Sequence, residues 1–228
     1  MTSEGQELLR EEFNRWARDG WAEAMERHHF RITEKTFRRM DLGGHERVLE
    51  LGCGDGWACR LLAKLLGPHA QIIGLDISDE MIRLARHRAQ GFDNVRYLWG
   101  PADKIAWDDN YFTRVLSVES FYYYPRQEAV LDELMRVTAP MGRIYLLMCI
   151  FAENPECQRW VRELKVPVHV RSEREYRVLL ESRGWLEVRT EQYYPEAGCP
   201  PETSAHDRAL LVSARKPDSA VHHRPPAE

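Results

Sequence analysis

The chain has no apolar run long enough to span a membrane, no internal repeat and no dominant charge of one sign. Its 32 basic and 36 acidic residues are mixed along the sequence and leave a net charge of −4. That balance excludes a global electrostatic pull towards nucleic acid. Cysteine is scarce: Cys53, Cys59, Cys149, Cys157 and Cys199 are odd in number and form no CxxC pair. Neither a disulfide framework nor a structural zinc site is expected from such a set. The first residues, Met1-Thr2-Ser3-Glu4-Gly5-Gln6-Glu7, lack the basic and apolar regions of a signal peptide. Together these absences lead us to expect a soluble protein of the reducing cytoplasm. With 228 residues and 43% hydrophobic content, the chain can bury one sizeable core and has little left for a second.

What is present is organised around Val48-Leu49-Glu50-Leu51-Gly52-Cys53-Gly54-Asp55-Gly56-Trp57. A buried strand end runs into glycines at alternate positions and then into a helical pattern from about Ala58. Glycine admits positive φ and lets backbone lie flat against a bound molecule, so this turn reads as a ligand cradle. A dinucleotide fingerprint, Gly-x-Gly-x-x-Gly, needs its last glycine one position later than Gly56, and Trp57 fills that place. The indole argues against NAD or FAD. The pattern acidic-x-Gly-x-Gly-x-Gly, carried by Glu50 through Gly56, instead resembles motif I of the class I S-adenosylmethionine-dependent methyltransferases. The ligand of that family carries a cationic ammonium and sulfonium and no phosphate, which suits the carboxylate of Glu50.

The resemblance implies an α/β fold: a Rossmann-like, doubly wound, mostly parallel seven-stranded sheet with an antiparallel terminal hairpin. In chain order, residues 1–40 read as a helical cap of two amphipathic helices, with Phe13, Trp16, Trp21, Met25, Phe30, Ile32 and Phe37 among many charges. In similar methyltransferases such a segment folds over the cofactor, so Trp21, His28 and His29 are candidates to face the pocket. Two adjacent histidines with no cysteine at helical spacing do not make a ligand set, and no metal is expected.

Residues 41–216 carry the domain. Helix Ala58–Leu66 ends at Gly67-Pro68, and the apolar run Ala70–Ile77 suits a strand covered on both faces. Asp76 ends that strand two dozen residues after Gly52, where a doubly wound fold places the acid that takes the ribose hydroxyls. Ile77 would wall the adenine. Ser78-Asp79-Glu80 opens the next helix. The third strand, Val95–Trp99, leads to Gly100-Pro101-Ala102-Asp103, where the resemblance puts adenine against Ala102 and Asp103. The fourth strand, Phe112–Val118, ends in Glu119-Ser120-Phe121-Tyr122-Tyr123-Tyr124-Pro125, outside the carboxyl ends of the strands, where substrate should meet the methyl group. Val118 completes the expected cofactor set of Glu50, Gly52, Cys53, Gly54, Gly56, Trp57, Asp76, Ile77, Ala102 and Asp103. This stretch departs from the Pro-Pro-Tyr type of segment of amino-methylating nucleic-acid enzymes and is similar to segments of small-molecule enzymes, the quinone-biosynthesis group included. Three successive tyrosines cannot all point one way, so one or two are expected in the pocket.

A helix from about Arg126 to Thr138 precedes a turn at Ala139-Pro140-Met141-Gly142 and a fifth strand, Arg143–Met148. Residues 151–172 read as a lid insertion with a helix over Glu156–Leu164. A helix capped by Ser172 follows, then strands over Leu186–Tyr194 and Ala209–Lys216, while 217–228 reads as a disordered tail.

The resemblance thus implies in-line methyl transfer from S-adenosylmethionine to a small-molecule acceptor, leaving S-adenosylhomocysteine. Glu119, Tyr122 and His28 are the first candidates for acid–base work, with Tyr123, His29 and His169 behind them. Three rival readings stay open on sequence: a nicotinamide-dependent oxidoreductase, a non-catalytic S-adenosylmethionine-binding protein, and an RNA methyltransferase using Arg126, Arg159, Arg162 and Lys165. Nucleic acid and membrane are not expected as partners, and a homodimer stays open.

Overall fold

A computed structural model describes residues 3–195 and 208–218. Near-continuous apolar runs become central strands because both of their faces are covered. These are β1 (Arg47–Leu51), β2 (Gln71–Asp76), β3 (Val95–Trp99), β4 (Phe112–Val118) and β5 (Thr138–Met148). Strands β6 (Leu186–Tyr193) and β7 (Ala209–Arg215) form the terminal hairpin, and the sheet order is β3-β2-β1-β4-β5-β7-β6. All pairs are parallel except those of β7, which runs antiparallel to β5 and β6. The expected seven-stranded topology is therefore the observed one.

Alternate residues feed two cores, as the period of a strand requires. Leu49, Leu51, Ile73, Leu75, Val115, Ile144 and Leu146 pack under α5 (Gln127–Val137) and α7 (Glu173–Ser182). Val48, Ile72, Leu116, Tyr145 and Leu147 face α3 (Trp57–Leu66), α4 (Asp79–Arg88) and α2 (Trp21–Arg39). The chain winds outward from β1 to β3 and returns on the other side as β4, so β1 pairs with both β2 and β4. The crevice of such a sheet opens at this switch point, outside the carboxyl ends of the strands.

The N-terminal cap is α1 (Glu4–Arg18) followed by α2. Ser3 and Gln6 close a capping box at the start of α1. Asn14 pins α1 to the head of α4: its Oδ1 accepts from Ser78 Oγ at 2.6 Å and Glu80 N at 3.2 Å. Helix α6 (Cys157–Glu163) lies within the segment read as a lid.

One element differs from expectation. Ala139-Pro140-Met141-Gly142 is not a turn before β5 but part of it, with Thr138 already paired to Phe112 and a register shift before Arg114 pairs with Arg143. The extra residues are absorbed as a bulge, with Met141 at φ 65° and Gly142 lying within 2.8 Å, by its absent Cβ, of the Ala139 carbonyl. The proline- and glycine-containing loop before β7, Cys199 and residues 219–228 of the tail lie outside the described residues.

Candidate active site

The glycine loop after β1 lines a cavity at the switch point. Gly52 stands at φ 71°, and its N–H donates to the Leu75 carbonyl at 2.7 Å. A Cβ there would come within 2.4 Å of Ser120 Cβ and 2.8 Å of the Tyr124 hydroxyl. Nothing lies within 4 Å of the corresponding position on Gly54, whose backbone is thus open to a ligand. Gly54 N–H donates to Asp76 Oδ2 at 2.9 Å, while Ser78 N–H holds Oδ1 at 2.8 Å. Both loop and acid are thereby set in one frame.

Of the residues proposed from sequence for the cofactor, Glu50, Gly52, Cys53, Gly54, Trp57, Asp76, Ile77, Ala102, Asp103 and Val118 all line this cavity. Gly56 does not. It caps α3 in the left-handed region at φ 77°, and the Tyr97 ring occupies the space its Cβ would need, with the Tyr97 hydroxyl donating to the Gly56 carbonyl. Its glycine serves backbone and packing. Asp55, buried beneath the loop, is held by Arg88 and by the ion pair with Arg60.

Burial sets the charges here. It pushes the Asp76 carboxyl up to about 6, against the pull of the Ser78 and Gly54 amides. It pushes Glu50 up to about 8, although Cys59 Sγ donates to Glu50 Oε2 at 2.8 Å. Glu50 is therefore protonated at neutral pH until a cation arrives. Asp103 is already engaged by Gln6 from the cap, at 2.7 Å, and by Arg126.

The segment after β4 shapes a second cavity, of about 470 Å3. Phe121–Tyr123 form a single 3-10 turn. Three residues per turn fan successive side chains apart. Each cavity is lined by two of the three tyrosines, within the one or two expected: Tyr123 and Tyr124 in the first, Tyr122 and Tyr123 in the second. Glu119, at φ 52°, is 7% exposed and lines both cavities. Its Oε2 accepts from the Tyr122 hydroxyl at 2.9 Å, and burial pushes its carboxyl up to about 7.

Of the two histidines, His28 is exposed and reaches only the second cavity, whereas His29 is buried and lines both. Trp21 is 51% exposed and lines the second cavity alone. His169 lines neither; its backbone N–H donates to the Tyr122 carbonyl at 2.8 Å and steadies the turn. Two residues missed from sequence matter. Gln6 is a polar residue in a helix start, with no local sign of its distant partner. Cys149 follows β5 and packs against His29 Nδ1 at 3.8 Å; its place at a strand's carboxyl end was the available signal. The fold thus brings His29 an acidic and a thiol neighbour from the ends of β4 and β5.

Residues 42–190 match the family described as a methyltransferase domain. The chain belongs to that family. Its fold and glycine loop are those of the class I S-adenosylmethionine-dependent methyltransferase family. Over 140 residues, 60% of this chain and 49% of the relative, it is 36% identical to phthiotriol/phenolphthiotriol dimycocerosates methyltransferase of Mycobacterium tuberculosis. Demethylmenaquinone methyltransferase of Geobacillus kaustophilus is 32% identical over 57% of this chain and 55% of its own. The chain spans about half the length of the curated relatives it matches. Among solved structures, a chain of the complex between the Haloferax volcanii Trm112 methyltransferase activator and a methyltransferase superposes with a TM-score of 0.82. It is 26% identical, covering 90% of this chain and 98% of the other.

The residues present fit S-adenosylmethionine. The open backbone at Gly54 and the Asp76 carboxylate suit its ribose, and Glu50 suits a cation. The bound cofactor supplies an electrophilic methyl group on a sulfonium.

Proposed function

We propose that this methyltransferase passes the methyl group in line to an apolar small molecule bearing a nucleophilic hydroxyl or thiol, seated in the second cavity. One observation carries this reading. The two cavities share a wall of Trp16, Met25, His29, Glu119 and Tyr123, so a methyl donor in one abuts an acceptor in the other. Methyl transfer from a sulfonium depends chiefly on alignment and on exclusion of water. The cap helices cover the junction, and α6 with the lid segment over 151–172 adds Trp160, Glu163, Leu164 and Lys165.

Within this reading Glu50, Asp76 and the loop bind the cofactor, with Ile77, Ala102 and Asp103 around adenine. Glu119 and Tyr122 hold the acceptor's reacting group, and His29 takes the place expected of His28. Aromatic lining by Trp16, Trp21, Tyr122 and Trp160 favours an apolar acceptor, and so do relatives named for phthiotriol dimycocerosates and demethylmenaquinone. An RNA substrate is disfavoured because Arg126 is paired with Asp103 and Arg159 with Glu156. Four buried cysteines outside any disulfide and the lack, among the described residues, of a helix long and apolar enough to cross a membrane favour a cytoplasmic reaction.

The test is transfer of labelled methyl to a panel of apolar hydroxyl and thiol compounds. Because the Haloferax chain sits in a complex with an activator, it is run with and without a Trm112-type protein. Labelled product that disappears with Asp76→Ala supports the reading. Cofactor binding without transfer to any acceptor class, under both conditions, would sink it in favour of a binding protein.

A further inference from the structure

Three side chains from distant parts of the sequence meet where the two cavities join. His29 comes from α2, Glu119 from the end of β4 and Cys149 from the residue after β5. All are buried, and one donor atom of each lies within 4.8 Å of the others. His29 Nδ1 is 3.9 Å from Glu119 Oε1 and 3.8 Å from Cys149 Sγ. Zinc bonds of about 2.0–2.2 Å to nitrogen and oxygen and about 2.3 Å to sulfur put neighbouring tetrahedral ligands roughly 3.3–3.6 Å apart. The two spacings from His29 exceed those edges by a few tenths of an ångström, and Glu119 Oε1 and Cys149 Sγ lie within 4.8 Å of each other.

Glu119 Oε1 gives a second, independent sign. It is buried without a hydrogen-bond partner, and the side chain as a whole is 5% exposed. The fold nevertheless holds it there: Glu119 sits in the left-handed region, its N–H donates to the Leu147 carbonyl at 2.9 Å, and Tyr122 fixes the other oxygen. A strained residue aiming a lone carboxylate oxygen at an imidazole and a thiol is poised for a common partner.

We propose that His29 Nδ1, Glu119 Oε1 and Cys149 Sγ bind one divalent cation of the zinc class. The ligand set selects the metal: imidazole and thiolate suit zinc and its first-row neighbours, whereas magnesium and calcium want oxygen alone. Three protein ligands leave a fourth position open, the arrangement of catalytic rather than structural zinc. That position faces the second cavity, which all three residues line and through which the ion enters. Tyr122 then orients a ligand from outside the coordination shell.

The open position would take the acceptor's thiol or hydroxyl, a step that rests on the methyl-transfer reading although the cation site does not. On coordination the acceptor releases its proton to solvent and keeps its electron pair. That pair forms the new bond to the methyl carbon while the carbon–sulfonium bond breaks, its electrons staying on sulfur as a neutral thioether.

Cobalt(II) reports such a site directly. The full chain, stripped with chelator and titrated with Co2+, is expected to take up one equivalent, with a near-ultraviolet sulfur-to-cobalt charge-transfer band and the strong visible bands of a tetrahedral ion. Zn2+ should displace it. Cys149→Ser should lose the charge-transfer band and Cys157→Ser keep it, while His29→Ala weakens binding by more than the roughly 10–100-fold that an outer-shell loss costs. X-ray absorption on the wild-type zinc protein should count one sulfur neighbour, so the assignment does not depend on Cys149→Ser folding. Absence of stoichiometric uptake by the wild-type chain, a spectrum without sulfur ligation, or a band that survives in folded Cys149→Ser would each overturn the proposal. No methyl acceptor is needed, so failure here leaves the methyltransferase reading standing, and failure of methyl transfer leaves the cation site standing.

Discussion

Gln6 Nε2 donates to Asp103 Oδ1 at 2.7 Å, joining the first turn of α1 to the loop after β3 across 97 positions of sequence. The cap is therefore bonded to the wall of the crevice at the loop after β3 as well as packed over it. Gln6→Ala should weaken S-adenosylhomocysteine binding by about 1 kcal/mol, or ~5-fold, chiefly through faster release. Stopped-flow dissociation and calorimetry check this. Unchanged affinity would show that the cap contributes nothing to retention.

Gly52→Ala should lose the melting-temperature rise produced by S-adenosylhomocysteine, because its Cβ would meet Ser120 and Tyr124 at the loop's tightest point. The left-handed backbone alone costs about 1–2 kcal/mol. Gly91→Ala carries a similar backbone cost at φ 87° with nothing within 4 Å, and should keep the ligand-induced rise.

Asp76 titrates near 6. If its ionised form accepts the ribose hydroxyls, as proposed, affinity should be flat above pH 7 and fall about tenfold per unit below 6. Calorimetry across pH 5–8 reads the slope. Asp76→Asn should be weak throughout and flat, and a wild-type curve as flat as the variant's would remove Asp76 from the binding step.

Glu50 couples stability to function. Its folded-state value near 8 exceeds the ordinary 4.5, so the folded protein keeps a proton that the unfolded chain releases as pH rises through that window. Stability therefore falls from about pH 4.5 to 8 and levels off above. Glu50→Gln should raise the melting temperature of the cofactor-free protein at pH 8.5 by a few degrees, at about 2–4 °C per kcal/mol, with the gap closing towards pH 5. The same variant should bind cofactor more weakly, since an amide offers no charge to an ammonium.

Tyr122→Phe removes the donor from Glu119 Oε2 while leaving the first cavity's lining intact. It should lower kcat by about tenfold or more with little change in cofactor KM. An equal loss in cofactor affinity would mean that the turn is disturbed as a whole.

Much of the cofactor site was legible because it is local. The run into Gly52, the acid at Asp76, the strand end at Val118 and the loop at Asp103 are positions set by short patterns, and all but Gly56 among the expected cofactor residues line the crevice. Gly56 reads the same in sequence as Gly52, but what lies against it is Tyr97, some forty residues away, and no spacing rule reveals that. Which two of the three tyrosines face each cavity was not legible, because a 3-10 turn spreads side chains that a strand would send to two faces. His28 and His29 are indistinguishable as letters; the packing of α2 exposes one and buries the other.

Sequence alone determined the strand–loop–helix cradle, the parallel sheet and the chemistry of its cofactor, because left-handed glycines, doubly covered strands and a terminal acid are short-range requirements. The junction where His29, Glu119 and Cys149 converge, and the acceptor cavity beside it, were decided only in three dimensions. The strand order places the ends of β4 and β5 side by side, and the cap lays α2 across them, so residues with no common pattern come to share one pocket.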